Sequence, residues 1–311
     1  MPTLLRLEDS LERVRAGLES RARRISGRVG EELAAHIGRP GKMLRTRFCL
    51  LLAASLGVDQ EKAEAASRAM ELVHNASLLH DDCVDEADLR RGQPTPNKVF
   101  GTTVGLLLGD LAFSQGLEEA IDISPNASRH LVTTVREMTV GELQEEFLKG
   151  ATDTSVDAYM GVAARKTGAL FEWAGNVLSE LSPFPHDAAD PPRLACAAGI
   201  LLQIVDDIHD YTLDEKVSGK PVGQDLANRR LTLPCILALQ SPHRAEFLAL
   251  WERAEPAPLA AFLKNHGFLD ATRAKGRELV DSMLKWTRAL PCKAEALEMA
   301  LFIEVMARRE F

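Results

Sequence analysis

Apolar residues along this chain recur mostly three or four positions apart, the spacing that lines one face of a helix, and Pro and Gly interrupt the pattern sparsely. Leu4, Leu7, Leu11, Val14 and Leu18 form the first such stripe and predict an amphipathic helix. The same periodicity predicts helices over residues 44–56, 62–85, 102–121, 128–147, 156–181, 193–211, 231–239, 245–253, 259–265, 271–289 and 294–309. The loops between them, at 91–97, 124–126, 182–192, 216–224 and 255–258, carry Pro or Gly and are short. None has the length or low complexity of a linker, and no run alternates convincingly like a strand. The expected fold is a single all-α domain over residues 1–311.

Composition narrows the class. Of 311 residues, 46% are apolar, ample for a large core, and only 5% are aromatic, while Leu, Ala and Glu recur throughout, which favours helix over strand. Asp and Glu outnumber Lys and Arg, 45 to 37, and the net charge of −8 argues against nucleic acid as a partner. Five scattered cysteines (Cys49, Cys83, Cys196, Cys235 and Cys292) form no C-x-x-C pair and fit reduced thiols better than a disulfide or zinc framework. The longest uncharged apolar stretches are roughly half the length of a membrane span, and the charged N-terminus lacks a signal-peptide core. A cytoplasmic protein with no membrane span is expected.

One motif occurs twice. Asp81-Asp82-x-x-Asp85 is echoed by Asp206-Asp207-x-x-Asp210, and both follow apolar helical sequence. Residues four apart share a helix face, so Asp81 projects with Asp85 and Asp206 with Asp210. The stripes extend back through Ser77 and His74 on the first helix and Gln203 on the second. Acidic clusters are ordinarily solvated helix faces, but those interleave with Lys or Arg at i+4, which these pairs lack. Six carboxylates on two mainly apolar helices repel unless cations neutralise them. Oxygen-only donors select hard cations such as Mg²⁺, which takes phosphate oxygens as further ligands. Arg90-Arg91 follow the first trio, and Lys216 and Lys220 the second, as a diphosphate would require. A rival metal reading fails: Glu71-x-x-His74 has the spacing of a di-iron site, but no second E-x-x-H exists, and Glu142, Glu145 and Glu146 do not supply one.

These residues and their neighbours resemble the trans-isoprenyl diphosphate synthase (polyprenyl synthetase) family. The resemblance runs through Gly41-Lys42-Met43-Leu44-Arg45, Glu71-Leu72-Val73-His74, and the stretch from Leu79 to Gly92 around the first trio. It continues through Gly109-Asp110, Lys166-Thr167, Gln203 to Tyr211, Gly219-Lys220-Pro221-Val222-Gly223 with Asp225, and Thr232-Leu233-Pro234. It implies the isoprenoid synthase fold, helices around a deep central cavity, in an enzyme that is usually a homodimer and joins an allylic diphosphate to isopentenyl diphosphate. By the same resemblance, Asp81, Asp85, Asp206 and Asp210 hold Mg²⁺, three ions with substrate bound, while Asp82 and Asp207 support those sites. Arg90, Lys166, Thr167, Gln203, Lys220 and Arg230 fall to the allylic substrate, and Lys42, Arg45, His74 and Arg91 to isopentenyl diphosphate. The implied catalytic set is the six aspartates with Lys166 and Gln203. Departure of diphosphate leaves an allylic cation, the isopentenyl double bond attacks it, and the released diphosphate takes the proton. No protein nucleophile is needed.

The chain departs from the family pattern in places. Arg229-Arg230 stand where the family has Gly-Lys, so an allylic-site lysine becomes Arg230; Met43 and Thr46 replace a basic residue and a proline. Leu202 replaces a frequent phenylalanine, and His209 stands inside the second trio. None removes an expected metal ligand. Ala76 and Ser77, one turn before Asp81, are small where makers of short products often carry aromatics, which predicts a product of geranylgeranyl length or longer. Two alternative functions fit the residues less well. A class I terpene cyclase has no use for Lys42, Arg45 and Arg91 and normally replaces the second trio. A non-catalytic subunit of a heteromeric synthase usually loses one aspartate motif, and both persist here.

Overall fold

The computed structural model describes residues 3–38, 41–90, 92–212 and 224–308. It is about 82% helical. The helices are α1 (Thr3–Arg23), α2 (Arg28–Ile37), α3 (Leu44–Leu56), α4 (Gln60–Val84), α5 (Pro96–Phe100), α6 (Thr102–Ile123) and α7 (Pro125–Leu148). After these come α8 (Val156–Ala163), α9 (Ala169–Leu181), α10 (Pro191–Thr212), α11 (Gln224–Ala227), α12 (Leu233–Leu239), α13 (Arg244–Arg253), α14 (Pro256–Asn265), α15 (Phe268–Ala289) and α16 (Lys293–Arg308). Most predicted spans hold to within a few residues. Several features were not predicted, the short helices α5 and α11 among them. The helix expected over 156–181 is split between α8 and α9 by a π turn at Ala164–Gly168. Helix α2 lies between Gly27 and Gly38, with Leu33, Ala34 and Ile37 as its whole apolar face, too short a stripe to register. A two-stranded hairpin, β1 (Leu89–Arg90) with β2 (Gln93–Pro94), is likewise too short to show alternation.

Packing divides the chain into two compact units. One comprises Met1–Val135, Leu170–Ala195 and Lys285–Phe302, the other Arg136–Ala169, Cys196–Leu284 and Ile303–Phe311. Several of these boundaries fall inside helices rather than in a linker, as in α7 and α10.

In the first unit α4 and α6 pack along much of their length. Gly105, Gly109 and Gly116 of α6 lie against Cys83, His80 and Val73 of α4, so the stripe of small residues lets the two axes approach closely. Val14, Leu18 and Ala22 of α1 and Leu33 and Ile37 of α2 complete a cluster with Leu72, Ala76, Leu79, Leu108 and Ala112. The long α4 starts cleanly because Asp59 caps it, accepting from the backbone N–H groups of Glu61 (2.9 Å) and Lys62 (3.4 Å). In the second unit Tyr159, Ala163, Ile204, Ile208, Leu233 and Ile236 pack α8, α10 and α12 together. A further cluster around Phe247, Trp251, Phe262 and Phe268 joins α13, α14 and α15.

Candidate active site

The first aspartate trio closes α4. Asp81 is half-buried, Asp85 is the C-cap residue with its N–H bonded to the Asp81 carbonyl at 2.8 Å, and Glu86, at φ 49°, turns the chain out of the helix. Asp82 points inward and is only 1% exposed. A carboxylate there needs a charged partner, and Arg90 on β1 supplies it, Nε to Oδ1 at 2.7 Å. The hairpin thus carries a partner only eight positions along the chain from Asp82. Asn97 donates to the Asp82 carbonyl at 3.0 Å and Thr95 to the Ala87 carbonyl at 2.5 Å, fastening hairpin and α5 to the end of α4.

The second trio, on α10, has the same spacing and a different interior. Asp206 is exposed, Asp210 half-buried and Asp207 2% exposed. Here no Lys or Arg among the described residues forms an ion pair with the central carboxylate: Oδ1 accepts from Gln203 Nε2 at 3.0 Å and Oδ2 from the Leu233 backbone N–H at 2.8 Å. Asp207 therefore caps the first turn of α12 from a neighbouring helix. Burial, reinforced by the nearby Asp225, pushes its pKa up to about 8. Thr167 donates to Gln203 Oε1 at 3.0 Å, so the Gln203 amide is oriented at both ends.

Thr167 and its neighbour Lys166 lie in the π turn. Such a turn widens the helix, and its neighbours must come close: a Cβ at Gly199 of α10 would stand 2.7 Å from Gly168 Cα, and one at Gly141 of α7 2.7 Å from Lys166 N. Lys166 Nζ meets Glu145 at 2.6 Å and Glu142 at 2.7 Å. Arg230 shares the same acids, with Glu145 at 3.2 Å and Glu146 at 3.5 Å, and Lys149 holds Glu146 at 2.6 Å. Glu142, Glu145 and Glu146 are site neighbours that reading the sequence for a metal motif passed over. Their i, i+3, i+4 spacing on one face of α7 was the available signal. Lys166, Gln203, Asp207, Arg230, Glu145 and Thr232 line a cavity of ≈ 50 Å³ in the second unit.

Two departures from the family pattern have structural explanations. Arg229 sits at φ 56°, the left-handed region that suits the family's glycine. Its cost, about 1 kcal/mol, is offset by a 2.6 Å bond from its guanidinium to the Trp251 carbonyl. Thr46 uses its hydroxyl, 2.6 Å from Glu71 Oε1, and its backbone N–H at 3.3 Å to anchor the start of α3 on α4. Glu71 is thus engaged at a helix N-terminus. Arg45, the residue before Thr46, lies over the Phe171 ring at 5.8 Å. Lys42 is exposed and His74 half-buried. Ala76 is fully buried in the seam with α6, and Ser77 is half-buried with its hydroxyl on the His74 carbonyl at 2.9 Å. Arg91, Lys216 and Lys220 lie outside the described residues.

An all-helical chain with two D-D-x-x-D helix ends and basic groups beside each defines a diphosphate-handling enzyme of the prenyltransferase class. The comparisons agree. Residues 28–260 match the polyprenyl synthetase family, and the chain belongs to it; members are trans-prenyltransferases that make prenyl diphosphates. The geranylgeranyl diphosphate synthase of Mycobacterium tuberculosis is 35% identical over 265 residues, 82% of this chain and 75% of that protein. The heptaprenyl diphosphate synthase component 2 of Geobacillus stearothermophilus is 31% identical over 310 residues, 96% of each. Among solved structures, the polyprenyl synthase of Caulobacter crescentus, complexed with calcium and isoprenyl diphosphate, superposes with a TM-score of 0.88 at 25% identity, covering 98% of this chain and 96% of that one. No described helix is long and apolar enough to cross a membrane.

Proposed function

We propose that this chain is a one-domain, head-to-tail prenyltransferase that condenses allylic diphosphates with isopentenyl diphosphate and makes a product of geranylgeranyl length or longer. The observation that carries the reading is the shared design of the two trios. In each, the outer aspartates stand one helical turn apart on one face, and the central one is buried and hydrogen-bonded. Outer carboxylates so placed form an oxygen-only donor set that fits Mg²⁺. Asp81, Asp85, Asp206 and Asp210 would hold it, three ions in the substrate complex, and Asp82 and Asp207 act as positioning residues behind them. Bound Mg²⁺ would supply positive charge to the diphosphate as it leaves.

The remaining work falls to the protein's own groups. Arg90, Lys166, Lys220 and Arg230 bind the allylic diphosphate, with the α7 glutamates holding Lys166 and Arg230 in place. Thr167 orients Gln203, whose neutral amide can lie near an allylic cation without repelling it. Lys42, Arg45, His74 and Arg91 hold isopentenyl diphosphate. Ala76 and Ser77 set product length. Ser77→Phe is the cleaner probe of the two, because Phe at Ala76 would also wedge the α4–α6 seam. Ser77→Phe should shorten the product, and an unchanged distribution would defeat the assignment. Exposed apolar residues on α6 (Val104, Leu106 and Leu107, 36%, 41% and 61% exposed) support a homodimer. The five free cysteines suit a cytoplasmic setting.

The test is incubation of the purified chain with Mg²⁺, labelled isopentenyl diphosphate and dimethylallyl, geranyl or farnesyl diphosphate in turn, followed by sizing of the products. Incorporation is expected. No incorporation with any primer would overturn the reading in favour of a subunit that works only with a partner. The name of the Geobacillus relative, a component 2, gives that second reading its support.

A further inference from the structure

Outside the prenyl-transfer machinery, three potential metal ligands converge in the second unit. His243 is the residue before α13, Glu246 lies in that helix's first turn, and His266 ends α14. One ligand atom from each lies within 4.8 Å of the others. The two imidazole rings have centroids 4.1 Å apart, and His266 Nε2 is 3.7 Å from Glu246 Oε2, too long for a hydrogen bond.

The arrangement is held by the fold. His266 is set against the rings of Phe262 (4.7 Å) and Phe268 (6.3 Å), and Phe268 also flanks His243 at 6.3 Å. Both phenylalanines belong to the buried cluster beneath, so the imidazoles rest on a firm apolar floor with their nitrogens at the surface. Arg244, the cation nearest in sequence, is turned onto the Thr152 and Leu239 carbonyls at 3.0 and 3.3 Å, which leaves Glu246 to the histidines.

We propose that His243, Glu246 and His266 form a site for a borderline divalent metal ion of the Zn²⁺ type, distinct in chemistry from the aspartate trios. Two nitrogens and one carboxylate oxygen are a donor set that such ions take and that Mg²⁺ does not. A tetrahedral ion with ligands at about 2.0–2.1 Å needs donor atoms roughly 3.4 Å apart, a side-chain adjustment of about an ångström from the spacing present. Three protein ligands leave a fourth position open to water or an external ligand. The ion would tie the start of α13 to the α14–α15 corner and stabilise the aromatic cluster beneath.

The test is titration of the full chain with Co²⁺, in excess Mg²⁺ to occupy the aspartates, reading visible d–d absorption and the thermal midpoint. Saturable uptake of a single ion with a tetrahedral spectrum and a raised midpoint is expected. His243→Ala, Glu246→Gln and His266→Ala should each weaken uptake by at least about tenfold and remove the thermal shift. These positions are exposed, so each variant folds as its parent does by circular dichroism, and His243→Ala should keep its Mg²⁺-dependent prenyl transfer. No saturable uptake, or uptake that all three substitutions leave unchanged, would overturn the proposal.

Discussion

The ends of α4 and α10 carry the same five-residue pattern and bury its second aspartate by different means. On α4 the buried carboxylate is met by a full charge, Arg90, from a hairpin that begins a few residues later. On α10 it is met by dipoles, the Gln203 amide and the Leu233 N–H, and its acidity falls until it titrates near pH 8. An ion pair keeps Asp82 tied to a residue expected to touch substrate. Hydrogen bonds make Asp207 part of the scaffold, since its loss would uncap α12. An identical motif therefore hides one aspartate that positions a charged binding group and another that positions a neutral one, Gln203, together with a helix.

The strongest way to test the common part of that comparison is to remove outer aspartates. Asp81→Ala and Asp206→Ala should each lower kcat by about 10²-fold or more, measured as isopentenyl incorporation, with the helical circular dichroism intact. Activity near the parent's would show that the outer pairs are not the working ones. Next comes the α4 interior. Arg90→Ala strands a buried carboxylate and should cost about 3 kcal/mol of stability, measured by urea denaturation. Adding Asp82→Asn should recover much of that loss but not the activity, because the guanidinium is still missing. If the double variant were no more stable than the single, Asp82 would not be the reason Arg90 is held.

The smallest effect belongs to α10 and concerns pH. Burial raises the Asp207 pKa from 3.8 to about 8, so the folded state prefers the protonated form. Its contribution to stability is complete below about pH 4 and is lost as pH rises through about 8. In EDTA the thermal midpoint of the parent should fall across that window relative to Asp207→Asn, whose side chain does not titrate. Parallel pH profiles for the two proteins would mean that Asp207 is ionised throughout, its hydrogen-bond donors outweighing burial.

Much of this was open to a reader of the chain alone. Helix positions followed from apolar spacing, and the trios from residues four apart, because both depend on helix geometry and on neighbours within a turn or two. The Asp82–Arg90 pair spans only eight positions, so its elements were in view even though the hairpin was not. The partners of the other buried acids were out of reach. Leu233 is 26 positions from Asp207, Thr46 25 from Glu71, and Glu145 21 from Lys166. Nothing periodic connects such pairs. The π turn escaped for a related reason, since it depends on the close approach of Gly141 and Gly199 from two other helices.

The amino-acid sequence by itself determined the all-α class, the family and the identity of the acidic and basic groups, because those rest on local periodicity and on ordered motifs. Only the tertiary structure decided what each charged group is paired with: a guanidinium for Asp82, a helix N-terminus for Asp207 and for Glu71, and a cluster of glutamates for Lys166 and Arg230. The physical reason is that the free energy of a buried charge depends on the groups folding brings within a few ångströms of it, and that distance is not written along the chain.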